Sequence, residues 1–250
     1  MVVFIACDEI FSVDLIGDGN LKRETRRLEN FQSLYLESAF EVNIRSGEEF
    51  KVKVEADSNI LQYINTDVTD GELNISTEPN FQIQPRHPVR FYVRVPSRFS
   101  HVEVINGGRV QVDSLFLENL NITLYGVSYF EGERMNTPLK VLAEGSTTFK
   151  AEGDFETLNL RQRGSGNVFL SGTCGKSDVI LEGSGKIDAR DLNMTNADVR
   201  VYGSGLILCR VSGTLKALVE GNGRIYYYGF PENIEKKIGD DGMIVPATNN

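Results

Sequence analysis

From about residue 100 to residue 228, apolar and polar side chains alternate in short blocks, and a small-residue corner interrupts each block. Four corners are near copies: Arg163-Gly-Ser-Gly-Asn-Val168, Glu182-Gly-Ser-Gly-Lys-Ile187, Tyr202-Gly-Ser-Gly-Leu-Ile207 and Glu220-Gly-Asn-Gly-Arg-Ile225. Looser copies are Ile105-Asn-Gly-Gly-Arg-Val110, Tyr125-Gly-Val-Ser-Tyr-Phe130 and Glu144-Gly-Ser-Thr-Thr-Phe149. Their first corner positions fall at 106, 126, 145, 164, 183, 203 and 221, a period of 18 to 20 residues. Phased on that position, apolar residues stand four and two before it (Val102 and Val104, Ile122 and Leu124, Val179 and Leu181) and four after it (Val110, Phe130, Phe149, Val168, Ile187, Ile207, Ile225). Alternation with period two on both sides of a corner means strand, corner, strand, each with one apolar face. A constant period with no helical signal between the strands predicts stacked coils with parallel pairing, an all-β solenoid of about 19 residues per coil.

The corners themselves point to the same geometry. The pairs Gly164 and Gly166, Gly183 and Gly185, Gly203 and Gly205, and Gly221 and Gly223 are structural candidates. The second member lies two residues from an inward position, so it faces the coil interior, where a large side chain would collide and where glycine also permits positive φ. Immediately before each corner the outward ladder reads Ile105, Tyr125, Glu144, Arg163, Glu182, Tyr202 and Glu220, placing opposite charges beside each other on adjacent coils. Leu142, Ile180 and Leu218, then Phe169, Leu206, Leu208 and Tyr226, are apolar at outward positions. Either another element of the chain covers them or they form a docking surface.

Residues 28–100 alternate without the repeat. Ser46-Gly47-Glu48-Glu49 and Thr69-Asp70-Gly71-Glu72 read as hairpin turns, Asp57 to Ile64 as a short helix, and Pro79 to Pro88 as a loop. This organisation predicts a β-rich segment over 28–100, continuous with and capping the repeats at 101–245. Residues 229–245 supply a final degenerate coil. Residues 1–27 are read as a signal remnant and tether.

Four phrases resemble the auto-transporter adhesin head domain family, known as the head GIN domain and otherwise of unknown function. They are Phe31-Gln-Ser-Leu-Tyr-Leu-Glu-Ser-Ala-Phe-Glu-Val-Asn-Ile44, Asp70-Gly-Glu-Leu-Asn-Ile75, the serial Gly-Ser-Gly corners and the closing Tyr228-Gly-Phe-Pro231. The resemblance spans roughly residues 28–245. It implies a right-handed parallel β-helix, related in shape to pectin lyases, on a bacterial surface or periplasmic protein, with no recognised catalytic set. The opening Met1-Val-Val-Phe-Ile-Ala-Cys7 resembles a bacterial lipobox. That likeness implies a diacylated Cys7 and a tether to the membrane, with the outer membrane expected. No Lys or Arg precedes Lys22, whereas a signal peptide carries a basic n-region, so a truncated start is expected. The alternative is a buried strand with a core cysteine.

Composition narrows the chemistry. Lys and Arg number 26 against 35 Asp and Glu, a formal charge of −9, which excludes a broad phosphate-tracking surface and hence nucleic acid as a partner. Cys7, Cys174 and Cys209 are too few for a disulfide scaffold, and Cys209 reads as a buried hydrophobe. His87 and His101 read as ordinary surface residues without metal-ligand spacing, so neither a metal nor a cofactor is expected. A carbohydrate-processing alternative would rest on Glu144 and Glu182, two strand spacings apart with Arg163 between them. The favoured reading is a non-enzymatic envelope lipoprotein that binds a glycan or protein. Tyr125, Tyr129, Tyr202, Tyr226 and Tyr228 are its candidate contacts, since exposed rings stack on sugars and anchor interfaces.

Overall fold

The computed structural model describes residues 12–96, 98–114, 117–239 and 241–247. The amino-terminal strands are β1 (Val13–Ile16), β2 (Leu21–Arg26), β3 (Ser33–Glu37), β4 (Glu41–Ser46), β5 (Lys51–Asp57), β6 (Ile64–Thr69), β7 (Glu72–Thr77), β8 (Phe81–Gln84) and β9 (Arg90–Val95). The repeats supply β10 (His101–Val104), β11 (Arg109–Asp113), β12 (Leu120–Gly126), β13 (Tyr129–Met135), β14 (Leu139–Gly145), β15 (Thr148–Gly164), β16 (Asn167–Gly183), β17 (Lys186–Gly203), β18 (Leu206–Glu220) and β19 (Arg224–Tyr228). A last coil holds β20 (Asn233–Ile238) and β21 (Met243–Pro246). The architecture is a parallel β-solenoid, as the alternation predicts. No helix among the described residues is long and apolar enough to cross a membrane.

Each coil has a leading strand that runs into the glycine corner and a trailing strand that leaves it. Consecutive coils pair in register: Gly164 faces Gly183, and Val168 faces Ile187. The strands β15 to β18 pass through the opposite bend unbroken, so each serves the trailing face of one coil and the leading face of the next. All the predicted inward positions are buried, from Val102 to Ile225, and they join one continuous core. The corner glycines divide the work. Gly164 takes φ +108, a left-handed conformation that an L side chain rarely adopts, whereas at Gly166 the constraint is space, because a Cβ would overlap the carbonyl oxygen of Thr147. Gln162, at an inward position, turns its amide to the Gly166 carbonyl in the room left by Gly185.

The amino-terminal part joins the same stack in a different order. β3 and β4 pair in parallel with β10 and β11, while β7 and β9 pair on their far side. The chain therefore adds a coil outward and then crosses back to continue inward. Antiparallel strands finish this end: β6 beside β7, then β5 and β2 beside β9. The Thr69–Glu72 turn is a hairpin with Asp70 at φ +51 and Gly71 at φ +79, the pair of positive angles that a two-residue turn needs. Ser46 to Glu49 is not one, because β9 sits between β4 and β5. The segment expected as a short helix shrinks to a single 3-10 turn at Leu61–Tyr63. The expected loop over Pro79 to Pro88 contains β8, which pairs with β1 in a separate two-stranded sheet, and β2, also within the expected tether, pairs with β5. Cys7 lies outside the described residues.

Candidate binding surface

The five candidate tyrosines do not meet. Tyr125 and Tyr202 stand on the leading face, four ladder steps apart, on the order of 19 Å at the usual strand spacing. Tyr129, Tyr226 and Tyr228 stand on the trailing face, the first near one end and the others near the opposite end. Each is half-buried. Tyr129 is sandwiched by its neighbours: the Arg109 guanidinium lies 3.8 Å from the ring centre, and its hydroxyl donates to Glu131 Oε2 at 2.8 Å. Tyr228 lies beneath Arg210. Of the apolar outward residues Leu208 is buried, while Leu142, Ile180, Leu218, Leu206 and Tyr226 are half-buried. Leu142, Ile180 and Leu218 alternate with Arg161 and Arg200 in one ladder, whose aliphatic stems half-shield them, while Phe169 is 40% exposed.

Charges along the repeats are neutralised in place. Arg163 donates from Nη1 to Glu144 Oε1 and from Nε to Glu182 Oε2, both at 2.7 Å, so the two carboxylates of the enzyme alternative are held by one guanidinium. On the trailing face, Asp188 accepts from Arg190 at 2.8 Å and lies 3.0 Å from Lys186 Nζ. Burial raises its pKa, but these two cations overcome that and bring it down to about 2. Burial pushes the Cys174 thiol up to about 11 and Cys209 to about 12, so neither is a thiolate at neutral pH. Among the described residues, no three His, Cys, Asp or Glu side chains group as a metal site would require.

The amino-terminal end differs. His87, expected as an ordinary surface residue, hydrogen-bonds through Nδ1 to Asp57 Oδ1 at 2.7 Å, and the backbone N–H groups of Arg86 and His87 donate to Asp57 Oδ2. Asp57 is fully buried; desolvation pushes its pKa up, yet these bonds hold the carboxyl below its ordinary value. On the trailing face of this cap, one outward ladder alternates in sign: Arg23, Glu55, Arg90, Glu41, then Arg109. Arg90 donates to Glu41 at 2.8 Å, and Arg23 pairs with Glu55. The ladder four residues along does not alternate. Lys51 faces Arg94, and Arg94 faces Arg45. These cations, with Arg23, Lys53, Asn43 and Tyr92, line an open groove of about 390 Å³. The sequence gives one signal for it: each of these residues except Arg23 stands one step from an inward Val or Ile and so must point out. Nothing in the sequence brings three separate strands together.

The profile of the family described as "Putative auto-transporter adhesin, head GIN domain" matches residues 30–231. The chain belongs to this family. Its matched span takes in the crossed-over cap as well as the repeats, so the head GIN domain here is the whole stack from β3 to β19. Similar solved structures share the fold at low identity. A "putative lipid binding protein" from Parabacteroides distasonis superposes with TM-score 0.82 at 20% identity, covering 94% of this chain and 100% of its own. A "putative adhesin" from Parabacteroides merdae gives 0.81 at 18%, covering 94% and 99%. A third, a "putative adhesin" from Bacteroides fragilis, gives 0.71 at 19%, covering 93% and 100%. A search of the curated proteins finds no match.

Proposed function

We propose that this head GIN domain is a non-enzymatic adhesive scaffold of the bacterial cell envelope, lipid-anchored through Cys7, that presents a rigid lateral surface to a glycan or protein. One observation carries the reading: two long faces of in-register strands hold their outward side chains in fixed ladders, while the acid pair best placed for hydrolysis is clamped by Arg163. A surface of this kind binds by side-chain contact without rearranging, which limits the entropy lost on association. The family description and the solved adhesins of similar fold support it.

The test is a glycan-array and envelope pull-down screen with the soluble chain from Asp8, scored for retention and for chemical change of each glycan. Saturable retention without turnover is the expected result; cleavage products would overturn the non-enzymatic reading and direct attention to Glu144 and Glu182. Changing Tyr226 and Tyr228 to serine is expected to weaken retention with little change in melting temperature, and an unchanged profile would remove those two residues from the surface.

A further inference from the structure

We propose that the basic groove on the trailing face of the cap binds an acidic saccharide, a sugar unit carrying a carboxylate or sulfate. This rests on the adhesive reading above and narrows it to one place and one ligand chemistry.

The argument starts from cost. Like charges directly opposite on neighbouring strands destabilise the pairing, yet Lys51, Arg94 and Arg45 are stacked in that way. The remedy is present on the same strands, four residues away, where Glu55, Arg90 and Glu41 alternate, with Arg23 of β2 beyond Glu55. A chain with 35 acidic residues and 26 basic ones is not short of carboxylates to place between them. Among the described residues, Lys51, Lys53 and Arg94 have no acidic partner, and Arg45 reaches only Asp113, at 3.8 Å. An anion from outside would supply the missing charge.

The groove is shaped for a small polar ligand. Gly47 leaves the space in which the Arg94 stem lies, because a Cβ there would overlap Arg94 Cδ, and this sets the guanidinium beside Lys51 and Arg45. Tyr92, 39% exposed, stands between Lys53 and Asn43 in the adjacent ladder, offering a ring to a sugar face beside an amide for its hydroxyls. About 390 Å³ falls in the range of small-ligand sites. A peptide strand would need a free sheet edge, whereas the floor strands β5, β9 and β4 are paired to one another. A membrane would need apolar anchors, and Tyr92 is the one exposed apolar side chain in the lining.

The test is calorimetric titration of the whole chain at low salt with a heparin hexasaccharide, with trigalacturonate, with neutral maltotriose and with phosphatidylglycerol vesicles. Saturable binding of at least one acidic probe and none of maltotriose is expected. The affinity should fall as salt is added and drop at least tenfold in Lys51→Gln/Arg94→Gln, but not in Arg163→Gln, whose cation lies on the leading face. Equal binding by the double variant overturns the proposal, as does binding of neither acidic probe, or binding only of phosphatidylglycerol vesicles. The two readings fail separately. If the double variant keeps the array and pull-down profile of the wild type, the adhesive reading stands without this groove; if acidic saccharides bind but are cleaved, the groove stands and the non-enzymatic reading falls. The melting temperature of the double variant, expected at or above that of the wild type, shows that lost binding is not lost folding.

Discussion

The repeating coils and the amino-terminal cap are built from the same strand pairing, and they use their side chains differently. In the coils, most inward residues meet another apolar residue one coil away, and the ladder beside the glycine corners sets opposite charges together at Glu144, Arg163 and Glu182. Such a region is stable because it is monotonous, and its surface is largely self-satisfied. The cap has no repeat to lean on. It buries the carboxylates of Asp57 and Glu55, ties a loop to the first and Arg23 to the second, and stacks three cations on its outer face, of which Lys51 and Arg94 have no acidic partner among the described residues. The contrast teaches that regular ladders make the scaffold, and that chemical individuality collects where the register is broken.

The largest expected effect breaks the monotony. Replacing Gly166 with valine forces a side chain into the Thr147 carbonyl, backbone that can yield only by opening the stack. The expected loss is about 3 kcal/mol or more, read as a shift in the urea midpoint, or failure to fold. The matching change in the cap, Gly71→Ala, meets nothing closer than the Asn30 carbonyl oxygen at 4.0 Å, and only the left-handed φ of +79 opposes it. About 1–2 kcal/mol is expected there. Equal costs at the two sites would mean that the corner is not crowded.

Second in size is the buried acid of the cap. Asp57→Ala strands the Arg86 and His87 N–H groups and the His87 ring, and should cost about 3 kcal/mol. The pH dependence has a definite sign. Because the folded carboxyl titrates below its unfolded value of about 4, its contribution is fully present above that value and is lost as pH falls through the depressed one. Melting curves taken from neutral pH down to about pH 2.5 should show wild type and variant converging in acid. A gap that stays constant across that range would assign the stabilisation to packing instead of charge.

How much of this was legible in the sequence follows the same division. The inward ladders, the glycine corners and the closing coil at β20 and β21 could be placed from alternation and period, because a solenoid writes the same contact once per coil. The opposite bend shows in one coil only, as the Gly172-Thr-Cys-Gly175 corner, and not as a repeat. There Gly153 and Gly172 stack so closely that a Cβ on either would overlap the carbonyl of the coil before, but both lie within continuous strands and no phrase repeats around them. The order of the cap was not legible either. Val52, Val54, Phe91 and Val93 alternate equally well whether β5 folds back on β4 or β9 comes between them, and local pattern cannot choose between two partners. The cationic groove depends on that choice, since it joins residues 45, 51 and 94 across three strands. The partnership of Asp57 with His87 likewise spans 30 residues of unrepeated chain.

The smallest expected effects sharpen the comparison most, because they differ in sign. Arg163→Gln in the coils removes the cation between two carboxylates and leaves Glu144 and Glu182 to repel each other, so the melting temperature should fall slightly at low salt and return towards wild type as salt is raised. Arg94→Gln in the cap removes the middle member of a like-charge stack, so the same measurement should show a slight rise at low salt that also fades with added salt. If both substitutions lower the melting temperature, the cap cations are not opposing the register, and the argument that they are kept for an external anion loses its premise. If the signs are opposite, the fold carries a like-charge cost in the cap's trailing face, beside an exposed tyrosine, where a charged ligand would relieve it.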